Sequence, residues 1–191
     1  MMNIEQNEEL ELRMYFFVIS SLQGISKGIQ CGHAALEYAN KYGNTELFQD
    51  FVNNWKTWIV LNGGTTNSNR DLESIPFGSL NKIGDELQEN DVEFSFFFEP
   101  DLNDALTALC FIVDERVFNY KKYPHFYDFI LSKMSPEALL EMSSENELML
   151  RSQSFEKQQE IFPDYYKEWV RLIGGVKNVF LRQLIMDKKL A

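Results

Sequence analysis

Apolar positions along this chain follow two rhythms. Residues 13–19 (RMYFFVI) are almost continuously apolar and rich in β-formers, the pattern of a strand covered on both faces. After a turn at 20–24, the stretch 24–43 (GISKGIQCGHAALEYANKYG) takes up helical spacing. On a helical wheel Ile29, Gly32, Ala35, Leu36 and Ala39 gather on one face, which is predicted to lie on a sheet. Lys27, Gln30, His33 and Glu37 occupy an adjoining arc of roughly 120°. Ser26 is the expected N-cap with Ile25 stapling from outside, and Gly43 the C-terminal stop.

The same rhythms continue to about residue 114. A short helix is predicted over 45–55, a strand over 57–61, a helix over 80–88 with Leu80, Ile83 and Leu87 inward, and strands over 92–98 and 106–113. Strand, helix, strand, helix, strand, strand describes an α/β fold, a three-layer sandwich around a four-stranded sheet. Residues 119–191 contain no convincing strand and read as a helical extension. In it Ser135-Pro136-Glu137 and Pro163-Asp164 mark helix starts, and Gly174-Gly175 marks a stop. Val179, Phe180, Leu184 and Ile185 give a last amphipathic helix, with Lys188 and Lys189 suited to its C-terminal dipole. Residues 1–12 form an acidic arm, so the chain divides into 1–12, 13–118 and 119–191.

Composition narrows the function classes. A hydrophobic fraction of 45% with 16 Phe excludes general disorder, and no apolar run approaches the ~20 residues of a membrane span. The N-terminus has no basic segment of the kind that opens a secretory signal. Two cysteines make no disulfide framework and fit a reducing cytoplasm; with two histidines and no Cys/His cluster, no zinc site is expected. A net charge of −11 argues against a generic nucleic-acid binder. Bases concentrate in 167–189, where they form a local basic patch or pair with the acidic body.

A strand feeding a polar-headed helix places Lys27, Gln30 and His33 at the carboxyl edge of the sheet, where open α/β folds put their sites. Lys27 reads as an anion or oxyanion partner, or as a solvated first-turn lysine. Gln30 reads as a carbonyl-fixing group, and His33 as a base or a buried histidine bonded to backbone. Asp101 reads as a water-orienting carboxylate or a turn residue after Pro100, and Thr107 as a cleft hydroxyl or a strand former. Cys31 invites a nucleophile hypothesis, and Asn62-Gly-Gly-Thr-Thr66 hints at a phosphate loop without the full P-loop pattern.

The segment Lys27-Gly-Ile-Gln-Cys-Gly-His33-Ala-Ala resembles the signature of the type 2 peptidyl-tRNA hydrolases, a basic Gly-containing helix start followed by Gln-Cys-x-His-Ala-Ala. Trp55 to Leu61 and Glu99-Pro-Asp-Leu-Asn-Asp-Ala-Leu-Thr107 resemble two further segments of that family, in order, so that the likeness spans about residues 13–114. The resemblance implies a mixed four-stranded sheet with helices on both faces. It also implies hydrolysis of the ester between a peptide or aminoacyl group and tRNA, without metal or cofactor. Carried over by position, the implicated side chains are Lys27, Gln30, His33, Asp101 and Thr107, and the implied partner is tRNA. A non-catalytic module on the same scaffold, holding a protein or nucleotide, is the competing expectation, as is homo-oligomerisation through the helical extension.

Overall fold

A computed structural model describes residues 9–67, 77–135, 137 and 150–191. The chain divides into two compact units, one running to Glu115 and taking in Gln183–Ala191, the other Arg116–Arg182.

The first unit is built on a mixed four-stranded sheet in the order β2-β1-β4-β3. Central β1 (Leu12–Ile19) pairs parallel with β2 (Thr57–Gly64) and antiparallel with β4 (Ala105–Asp114), which pairs antiparallel with β3 (Phe94–Glu99). The near-continuous apolar runs of β1 and β4 are explained by cover on both faces. Met14, Phe16, Val18, Ala108, Cys110 and Ile112 pack under α1 (Ile25–Tyr42). On the opposite face lies α3 (Ser79–Glu89), where Leu80, Ile83 and Leu87 are buried and Gly84 lies over Leu109. Between α1 and β2, α2 (Glu46–Asp50) is capped by Thr45 Oγ1, which accepts from the Phe48 N–H at 3.3 Å. A π-helical turn, Phe51–Trp55, continues it and ends at Lys56 in a left-handed conformation (φ 56°).

The orientation of α1 corrects the wheel reading. Its sheet side carries Gln30, Cys31, Ala34 and Tyr38, while Ile29 and Leu36 face outward at 50% and 69% exposure. Burying the Tyr38 ring against Tyr42 and Phe48 covers more apolar surface than burying Leu36. The sheet also supplies hydrogen bonds that an aliphatic count overlooks: Ser95 Oγ donates to the Ala34 carbonyl at 2.6 Å. Ser26 is not the cap either. Gly24 (φ 53°) precedes α1 with no side-chain cap, Ile25 is 79% exposed rather than stapling, and Gly43 stays right-handed.

Beyond β2, the loop joins the start of α3 through its own polar groups. Ser79 Oγ donates to the Gly63 carbonyl and accepts from the Thr65 N–H, and Asn81 Oδ1 accepts from the Asn67 N–H. At the far end of the chain, Asn62 donates to the Lys189 carbonyl at 2.9 Å and Ala191 to the Val60 carbonyl at 3.0 Å. Leu190 thereby forms an antiparallel bridge to Leu61, so the extension, read as helical, ends in a strand-like contact that covers the free edge of β2.

The second unit has its own aromatic core. A four-residue helix α4 (Glu115–Phe118) opens it, followed by α5 (Phe126–Lys133), α6 (Phe155–Ile161), α7 (Pro163–Leu172) and the first part of α8 (Val176–Met186). Phe126, Phe129, Ile130, Trp169 and Ile173 form its centre. Pro163 sits in the first turn of α7, and Gly174 and Gly175 stop it at φ 88° and 110°. Arg182 is buried, donating to the carbonyls of Arg116, Tyr123 and Pro124 between the rings of Tyr120 and Trp169. Lys188 and Lys189 lie past the end of α8 rather than in its last turn. The predicted start at Ser135-Pro136-Glu137 leads into residues outside those described. Among the described residues, no helix is long and apolar enough to cross a membrane.

Candidate functional site

Pairing directions bring four chain positions to one end of the sheet. These are the carboxyl ends of β1, β2 and β3 and the amino end of β4, since Val18 lies opposite Ala108 and Glu99 opposite Ala105. Helix α1 starts there, so its first turns cross the β3–β4 pair.

At that crossing the sheet and helix share a chain of three polar side chains. Thr107, fully buried on β4, places Oγ1 2.6 Å from Gln30 Oε1 and 3.2 Å from the Phe97 carbonyl. Gln30, 6% exposed, donates from Nε2 to Glu99 Oε2 at 2.6 Å. The chemistry fixes the amide orientation, because an ionised carboxylate only accepts and the carboxamide must turn its NH₂ toward Glu99. Its oxygen then faces Thr107, whose hydroxyl proton completes the chain. Each hydrogen bond to a charged group is worth about 1.5–3 kcal/mol, and a buried amide left unpaired costs a similar amount.

Other predicted residues stand around this chain. His33, one turn after Gln30, stacks its half-buried ring on Phe97 with centroids 4.4 Å apart and planes 19° from parallel. Lys27, half-buried in the first turn of α1, precedes Gln30 by three residues and therefore neighbours it on the helix surface. Asp101 is exposed in the 3₁₀ turn Pro100–Leu102, and its backbone N–H, 3.5 Å from Glu99 Oε1, is what connects it to the chain.

The carboxylate facing Gln30 is thus Glu99, which the sequence reading treated as the end of a strand. A signal for it existed. Ser95, Phe97 and Glu99 alternate toward α1, meeting Ala34, His33 and Gln30 in turn.

Two other candidates fall away. Burial pushes the Cys31 thiol up to about 11 and the Cys110 thiol to about 12, so neither supplies a thiolate nucleophile near neutral pH. Among the described residues the loop after β2 offers no phosphate cradle, because the first amides of α3 are already spent: Ser79 N–H donates to Thr65 Oγ1 and Leu80 N–H to the Thr65 carbonyl. No family model matches this chain, and no curated protein does.

Proposed function

We propose that this chain hydrolyses the ester joining a peptide or aminoacyl group to tRNA, as its resemblance to the type 2 peptidyl-tRNA hydrolases implies. The observation that carries the reading is the Thr107–Gln30–Glu99 chain at the end of the sheet, with Lys27 one turn away on α1. In this scheme Glu99 accepts a proton from a water that attacks the ester carbonyl. The Lys27 ammonium stabilises the oxyanion; as the tetrahedral intermediate collapses and its bond to the 3′ oxygen breaks, Glu99 returns that proton to the leaving oxygen, releasing the tRNA hydroxyl and the free acid. Gln30 and Thr107 are positioning residues that aim the carboxylate, and His33 supports the strand through Phe97. Asp101 lies outside this set. Two buried cysteines without a disulfide support a reducing compartment such as the cytoplasm.

A binding module on the same scaffold is the second reading. It is favoured by the burial of Gln30 and Thr107, whose polar atoms are taken up by each other, by Glu99 and by the Phe97 carbonyl. Turnover of an N-blocked aminoacyl-tRNA by the purified chain separates the two. Enzyme action predicts deacylation that falls roughly 10²–10³-fold in Lys27→Ala and in Glu99→Gln and changes little in Asp101→Asn. Absence of turnover by the intact chain leaves the binding module.

A further inference from the structure

The side of α1 that turns away from the sheet is apolar. Ile25, Ile29 and Leu36 stand outward, and Trp58 on β2, 45% exposed, borders them. A shallow depression of about 400 Å³ lies between, lined by Ile29, Gly32, His33, Ala35, Leu36 and Trp58. At about 100° per residue, positions 25, 28, 29, 32, 35, 36 and 39 fall within an arc of about 120° whose midpoint is Gly32. No ionisable residue lies in that arc, in a chain of net charge −11.

We infer that this face is the contact between two copies of the chain, which pack α1 against α1 antiparallel about a twofold axis at Gly32. The sizes of the side chains identify the occupant. With the axis at residue 32, position i of one helix shares a level with position 64 − i of the other. Leu36 then meets the level of Gly28, Ile29 that of Ala35, Ile25 that of Ala39, and Gly32 meets itself. Every level but the central glycine pair joins a large residue to a small one, and an added Cβ at Gly28 or Gly32 would meet nothing within 4 Å in the single copy, so both notches are open. A self-complementary patch of this kind is what an isologous interface requires.

Size and charge bear on its strength. A specific interface buries on the order of 1,000 Å² or more, and this contact is confined to one face of α1 and Trp58. The dimer is therefore a weak one, and its population depends on concentration. The two bodies repel as like charges while the depression holds no Asp, Glu, Lys or Arg, His33 being its one ionisable residue, so added salt strengthens the association. A basic protein or a nucleic acid docked on this face would respond in the opposite direction.

Sedimentation equilibrium of the full chain from about 5 to 500 μM, at low and high salt, tests the inference. The mass should climb from 22.4 kDa toward twice that value with concentration, more readily at high salt. Leu36→Glu, at an exposed position, should keep its circular dichroism and stay monomeric. Gly32→Cys should form a disulfide-linked dimer on mild oxidation, since residue 32 lies on the axis and both native cysteines are buried. A chain that is monomeric throughout, a dimer unaffected by Leu36→Glu, or a Gly32→Cys variant that does not cross-link overturns the inference.

Discussion

Thr107 Oγ1 lies 2.6 Å from Gln30 Oε1, and the hydroxyl is the donor because a carboxamide oxygen can only accept. The strand thereby sets which end of the glutamine faces Glu99. Replacing Thr107 by Val keeps the volume and removes the proton, leaving a buried amide oxygen unpaired. Urea unfolding should show a loss of about 1–3 kcal/mol, with Thr107→Ser close to the parent. A double-mutant cycle should find Gln30 coupled to Glu99 and uncoupled from Asp101.

Buried thiols give a second prediction. With Cys31 raised to about 11 and Cys110 to about 12, both should resist alkylation in the native chain at pH 8 and react when it is unfolded. Mass spectrometry after iodoacetamide treatment reads this directly. Fast native labelling of Cys31 would reopen its candidacy as a nucleophile.

Tyr38 is fully buried, and its hydroxyl has no hydrogen-bond partner among the described residues. Burial, and then Glu93, push its ionisation far upward, so the group stays a neutral phenol. Deleting an unsatisfied hydroxyl removes a desolvation cost of about 1–3 kcal/mol while the ring keeps its contacts with Tyr42 and Phe48. Tyr38→Phe should therefore melt at the same temperature as the parent or above it. A drop of several degrees would mean that the hydroxyl has a partner after all.

His125, stacked on Tyr120 in the second unit, is held below its ordinary value by burial first and by the Arg182 charge second, with Asp128 opposing. Because the folded form binds its proton less readily than the unfolded chain, this histidine contributes stability that is complete above about pH 6.5. That contribution is lost as pH falls from there toward the depressed folded value. Unfolding free energies from pH 5 to 8 should show that slope in the parent and a shallower one in His125→Gln.

The sheet was legible because β1, β3 and β4 announce themselves by apolar runs, and the helix starts at Thr45 and Pro163 by residues whose chemistry is local. The rotation of α1 was not. A wheel ranks Leu36 and Ile29 above Gln30 and Tyr38 for burial, and only the partners waiting on β3 and β4 reverse that order. Gln30 and Thr107 could be picked out, yet their meeting across 77 positions of sequence depends on pairing register. Glu99 is hidden in the sequence for the same reason. Its contact with Gln30 comes from the strand alternation that turns it toward the helix, while Asp101, two residues on, leaves the strand and faces solvent.

Arg182 has a mechanical consequence. It is the last residue of the second unit, and its guanidinium donates to the carbonyl of Arg116, the first. The unit is therefore a loop clipped at its stem, and tension applied through the flanking chain loads the clip before it reaches the aromatic core. Three carbonyls hold the cation, all of them 58 to 66 positions away along the sequence, so loss of this one side chain frees all three at once.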